Sequence, residues 1–143
     1  ILIDMGCKYD GYCSDMTRTI FMGCILEEIK PVYDLALKNL ELSTKEITDG
    51  YTIKTAANMV ESDFKVNGYN LIHALGHGVG LEVHELPFIR LKNEASFKEN
   101  MVIADEPGIY LPGRYGIRIE DTLLVTKNGS ERLTKSERGY VVI

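Results

Sequence analysis

The stretch HALGHGVGLEVHELP, residues 73–87, restricts the backbone more than any other part of this chain. His73 and His77 are spaced i, i+4, which on a helix would stack both rings on one face. Gly76, Gly78 and Gly80 stand in the same few residues, and each glycine costs a helix interior about 1 kcal/mol relative to alanine. The segment therefore reads as extended backbone and tight turns, with glycines where another group comes close to the main chain. It also holds His73, His77 and His84, all 3 histidines of the chain. The helical zinc-peptidase pattern fails here, because after His84-Glu85 the position that needs a second histidine is Phe88. Any one of these imidazoles alone would read as a group bonded to nearby backbone. Gathered as they are, they are either a loop that happens to be rich in histidine or one wall of a reactive site whose other walls come from elsewhere.

The flanking sequence supplies strands and two helices. ILID is a short strand, Asp10-Gly11 is a hairpin turn signal, and YCSDMTRTIFMG is the returning strand. From about Leu26 to Ile47 the apolar Tyr33, Leu37, Leu40 and Ile47 fall on helical spacing, with Pro31 near the start. TDGYT breaks that helix. Ile53, Ala57, Val60 and Phe64 mark a second one, which ends near NGYN. MVIADEPGIY and IRIEDTLLVT are strands joined by the turn LPGRYG, and KNGSERLT turns the chain once more. Strand pairs with two helices between them indicate an α+β domain.

Bulk properties remove several function classes. With 143 residues, 45% of them hydrophobic, the chain can bury one proper core. A formal charge of −5 with basic residues scattered singly argues against a nucleic-acid partner. Apolar runs are too short to span a membrane. The 3 cysteines, Cys7, Cys13 and Cys24, are odd in number and lack CxxC spacing, which suits reduced thiols in a cytoplasmic protein. The opening ILIDMG reads as the middle of a strand, so an upstream portion is expected to be missing.

Four acids sit within apolar strand sequence. Asp4 and Asp15 flank the first hairpin, and Glu106 and Glu120 lie on opposite limbs of a later one. Burying a carboxylate without a partner costs several kcal/mol, so acids in such places are rarely left alone. If all four converge, two of them ~4 Å apart repel by about 4 kcal/mol at an effective dielectric near 20. The nearby basic residues, chiefly Arg18 and Arg118, are isolated. Two divalent ions would balance the set, and four carboxylates with an imidazole favour Mn, Co or Zn over a thiolate-type metal. Arg118 lies two residues from Glu120, on the same strand face, where it can orient a ligand.

These segments resemble a known family. DMGCKYDGYCSDMTRT, HALGHGVGLEVHELP, DEPGIYLPG and GIRIEDT, in that order, are similar to the metallopeptidases of the pita-bread fold. The nearest branch is the Xaa-Pro dipeptidases (prolidases) and Xaa-Pro aminopeptidases. GIRIEDT and SDMTRT look unlike the equivalent stretches of methionine aminopeptidases, and creatinase shares the fold without this ligand set. The resemblance implies a partial pita-bread domain, an antiparallel sheet with helices on its outer face. Residues 1–143 would be the C-terminal catalytic part, truncated at its N-terminal side. It implies metal ligands Asp4, Asp15, His77, Glu106 and Glu120, with Asp15 and Glu120 bridging two ions. Asp4 would hold one ion, and His77 and Glu106 the other. Manganese is the first expectation, with Co or Zn as alternatives. His73 and His84 would face a proline-containing dipeptide or peptide, His84 beside the oxyanion, Glu106 would carry the proton, and a homodimer is expected. One departure is Asp105, which stands where the family usually has an apolar residue and should point away from the metal face. Two other readings stay open: a non-catalytic fragment that self-associates through exposed sheet edge, and a binding module or pseudoenzyme on the same fold.

Overall fold

A computed structural model describes residues 1–143. Five strands form an antiparallel sheet in the order β11-β10-β7-β5-β6: Gly129–Arg132, Asp121–Thr126, Val102–Asp105, Gly76–Gly78 and Glu85–Ile89. A second sheet has the order β1-β4-β12: Leu2–Met5, Met16–Phe21 and Val141–Val142. Its last strand runs parallel to β4, so antiparallel pairing does not extend to every strand. Two short hairpins, β2 with β3 (Lys8–Tyr9, Tyr12–Cys13) and β8 with β9 (Gly108–Leu111, Tyr115–Arg118), project from these sheets. The Asp10-Gly11 turn closes the first with φ of 49° and 87°, the left-handed pair that this dipeptide tolerates.

Helix α1 spans Lys30–Glu46 and α2 spans Ile53–Val66. The first begins at Lys30 rather than near Leu26, with Pro31 in its opening turn, where a missing N–H leaves nothing unsatisfied. Tyr33, Ala36, Leu40 and Ser43 of α1 and Ile53, Ala57, Val60 and Phe64 of α2 face inward. The apolar ones pack with Leu75 and with Ile89, Ile103, Leu123 and Val125 of the five-stranded sheet into one core. Neither helix is long and apolar enough to cross a membrane.

The glycines of residues 73–87 are packing requirements. A Cβ on Gly76 would lie 1.9 Å from the Ala104 carbonyl oxygen, and one on Gly78 would lie 2.4 Å from that of Leu86. What approaches the main chain is therefore the pair of neighbouring strands, and β5 fits between β7 and β6 only as Gly-His-Gly.

Three segments that read as continuous strands are interrupted. YCSDMTRTIFMG breaks at Ser14-Asp15, MVIADEPGIY at Glu106-Pro107, and IRIEDTLLVT at Ile119-Glu120. Each break falls at one of the four acids singled out by sequence. Local periodicity cannot show such breaks, because they arise from contacts between distant segments. The Glu106 N–H donates to the Leu75 carbonyl, and Glu120 forms an isolated bridge with Thr17.

Candidate metal centre

The breaks turn the acids into a common space where the two sheets meet. Donor atoms fall into three overlapping groups, each within 4.8 Å: Asp15, His77 and His84; His77, Glu106 and Glu120; and Asp4, Asp15 and Glu120. All five residues expected to be ligands are thus brought together, and His84 joins them at the exposed rim. The Nε2 of His77 lies 3.6 Å from Asp15 Oδ2 and 3.5 Å from Glu106 Oε1. Its Nδ1 is 3.0 Å from the Gly78 carbonyl, which can only accept, so the proton sits on Nδ1. The Nε2 lone pair then faces the carboxylates, and burial holds this imidazole below its usual pKa, favouring the neutral form.

The carboxylates lack compensation. Glu106 is pushed up to about 8, first by burial and then by the Glu120 charge. Glu120 is raised to about 7 by burial, against the lowering effect of its bond from Thr17. Asp15 is raised by burial and by Asp4. Arg18, one of the two cations expected nearby, points away and bonds to Asp121 and to backbone carbonyls. Arg118 does reach the site. It pairs with Asp4, donates from Nε to Thr17 Oγ1 at 3.1 Å, and lies 3.8 Å from Glu106 Oε2. One guanidinium cannot neutralise four acids. Oxygen-rich donors around a fixed imidazole lone pair fit divalent metal ions.

Two further residues had no sequence signal beyond their place in the motifs. Thr17 Oγ1 donates to Glu120 Oε2 at 2.5 Å while accepting from Arg118. Tyr110 Oη accepts from Arg118 Nη1 at 2.9 Å and lies 3.0 Å from His73 Nε2. His73 Nδ1 faces the Ala74 carbonyl at 2.7 Å, so Nε2 is the acceptor of the tyrosine proton. His73 is therefore tied to the cluster through Tyr110 and Arg118 and is not among its donors. Beside the cluster, Asp4, Asp15, Cys7, Cys13, Glu82 and Val83 line a cavity of about 460 Å³.

Asp105 points away from this centre, as expected for the strand position before Glu106. It is fully buried against α1, where Ser43 Oγ lies 2.5 Å from its Oδ2. Burial pushes this carboxyl up to about 8 despite the Ser43 bond. The serine hydroxyl has one proton and also faces the Asn39 carbonyl at 2.8 Å. A neutral Asp105 satisfies both contacts, its acid proton going to Ser43 Oγ and the hydroxyl proton to Asn39.

Residues 1–127 match the model of metallopeptidase family M24. The Xaa-Pro dipeptidase of Pyrococcus furiosus is 45% identical over 140 residues, which cover 96% of this chain and 40% of that protein. The Xaa-Pro dipeptidase of Pyrococcus horikoshii is 45% identical over 143 residues, covering 99% and 41%. Among solved structures, the X-Pro aminopeptidase from Thermotoga maritima superposes with a TM-score of 0.96 at 39% identity, covering 99% of this chain and 41% of that one. The prolidase from Pyrococcus furiosus gives 0.93 at 45% identity, covering 95% and 41%. The chain thus spans about two fifths of the length of these relatives, with 40% and 41% of the two dipeptidases covered. Its architecture is part of the pita-bread fold, and the chain belongs to metallopeptidase family M24.

Proposed function

We propose that this chain carries the metal centre of a peptidase that hydrolyses the bond between an N-terminal residue and a following proline. The observation that carries the reading is the convergence of Asp4, Asp15, His77, Glu106 and Glu120 from four separate segments. In it, Asp15 and Glu120 would be shared by two ions, Asp4 would hold one, and His77 with Glu106 would hold the other. When bound, a pair of divalent ions supplies an acidified water and a polarised scissile carbonyl. Glu106, whose carboxylate lies 3.5 Å from His77 Nε2, is assigned the part of proton carrier. His84, at the exposed rim beside His77 with ring centroids 4.3 Å apart, donates to the developing oxyanion. His73 and Tyr110 hold Arg118 in the orientation that meets Asp4. The relatives named Xaa-Pro dipeptidase support the substrate class, a proline-containing dipeptide or peptide.

The test is metal content after loading with Mn²⁺ and removing the excess, followed by a panel of Xaa-Pro dipeptides and longer Xaa-Pro peptides. Close to two ions per chain is the expected result, and, where the rest of the peptidase is present, turnover that Glu106→Ala abolishes. An active Glu106→Ala protein refutes the assignment. Manganese as the native ion, a cytoplasmic setting and a homodimer belong to the same proposal; competition with Co²⁺ and Zn²⁺ and sedimentation check the first and last. A second reading, a non-catalytic piece that associates through apolar surface, is favoured by exposed Ile1, Met5, Val142 and Ile143 around the β1-β4-β12 sheet. Aggregation without retained metal selects it.

A further inference from the structure

The family match ends at residue 127, yet the segment beyond it wraps the back of the candidate centre. Leu133 N–H donates to the Thr122 carbonyl, and Thr134 Oγ1 accepts from Thr122 N–H at 2.9 Å. The Arg18 guanidinium is spread over both regions. Its Nη1 donates to the carbonyls of Glu120 at 2.6 Å and Thr17 at 2.8 Å, and so fixes the bridge that carries the Glu120 carboxylate. Its Nε and Nη2 donate to the carbonyls of Glu137 at 2.7 Å and Ser136 at 2.9 Å, and Nη2 also holds Asp121 Oδ1 at 2.7 Å.

Asp121 is wholly buried, and its second oxygen accepts from Arg138 Nε at 2.5 Å. The only other cation near that oxygen is Arg132, at 3.9 Å. The backbone around Arg138 is anchored in turn. Tyr33 Oη lies 2.9 Å from the Arg138 carbonyl and 3.0 Å from that of Gly139, and Val141 and Val142 pair with Ile20 and Phe21.

We infer that Arg138 is a positioning residue for the metal centre, and that the segment from Ser136 onward is a latch that sets the backbone under Glu120. The inference rests on the metal-centre reading above. With Arg138 in place, Asp121 shares its charge between two guanidinium groups and Arg18 keeps its fork on the Glu120 and Thr17 carbonyls. Without it, a buried carboxylate oxygen loses its closest partner and draws on Arg18, the group that aligns the ligand. Partners bonded directly to a metal ligand typically govern its affinity by about 10- to 100-fold, and Arg138 acts further out, through Asp121 and Arg18, so its effect falls below that range.

The test is Mn²⁺ titration of the full chain, read from the electron-spin resonance of free Mn²⁺, for wild type, Arg138→Gln and Arg138→Lys. Thermal midpoints in chelator are measured alongside. Lys38→Ala serves as the structural control, because it breaks the exposed Lys38–Asp63 pair between the helices. Arg138→Gln is expected to bind Mn²⁺ several-fold more weakly, by roughly 3- to 10-fold. Arg138→Lys, which keeps the charge, should recover part of that loss, and Lys38→Ala should bind as wild type does whatever its midpoint. If Arg138→Gln does not fold, the lysine variant decides, and wild-type affinity in it overturns the inference. Equal affinity in wild type and Arg138→Gln also overturns it while leaving the metallopeptidase reading standing. Failure of the wild-type chain to retain Mn²⁺ overturns both.

Discussion

Asp105→Asn should change how stability depends on pH. The carboxyl is raised from 3.8 to about 8, principally by burial, and its surroundings suit the neutral acid. A folded-state pKa above the unfolded one means that the native chain binds more protons between these values. Stability from this group is thus fully present below about pH 4 and is lost as pH rises toward about 8. Across the middle of that window the difference is about one proton, or about 1.4 kcal/mol per pH unit. Between roughly pH 5 and pH 7 that amounts to about 3 kcal/mol. Asparagine has the same shape and no charge to bury, so the variant should gain on wild type by about that amount over the same interval. Urea unfolding of both proteins in chelator, at half-unit pH steps, measures it. Glu106 and Glu120 also titrate without metal, but they are common to both chains and cancel in the difference. Parallel profiles from pH 5 to pH 7 would refute the neutral buried acid.

Two other substitutions probe how the site is built. Gly76→Ala places a methyl 1.9 Å from the Ala104 carbonyl oxygen, so β5 cannot seat against β7 and His77 leaves its place. The expected result is loss of soluble protein or of Mn²⁺ uptake, and a variant that loads metal as wild type does refutes the packing argument. Thr17→Val removes the donor to Glu120 Oε2 and should weaken Mn²⁺ binding by roughly 10-fold, with little change in the far-ultraviolet spectrum. An unchanged affinity shows that Thr17 does not orient the ligand.

Much of this molecule is readable in its local sequence. Both helices follow from the spacing of Tyr33, Leu40, Ile53 and Phe64, and the first hairpin follows from Asp10-Gly11. The role of Gly76 and Gly78 as points of close approach was legible too, because glycine inside a strand has few other uses. The four acids could be suspected because carboxylates in apolar strands need partners. What local pattern could not show is where strands stop. Asp15, Glu106 and Glu120 sit at interruptions created by Thr17, Leu75 and each other across long stretches of chain. Thr17 and Tyr110 escaped notice for the same reason, since a hydroxyl in a strand carries no periodic signal. Arg138 lies after the last recognisable strand pattern, and only tertiary contact gives it a partner. Arg18 was placed beside the acids by sequence proximity, but its side chain leaves on the opposite face.

The bridge between Thr17 and Glu120 also has a bearing on synthesis. The two residues are 103 positions apart, and Asp4 and Arg118 are separated by 114. During translation the first two acids leave the ribosome long before either glutamate exists. For most of that time Asp4 and Asp15 are two acids on a hairpin, with no imidazole and no second carboxylate pair. Helices α1 and α2 can form early from local contacts, but the five expected ligands are not together until Glu120 clears the exit tunnel. A ribosome stalled just before that residue should carry a chain that is helical and binds Mn²⁺ far more weakly than the released protein.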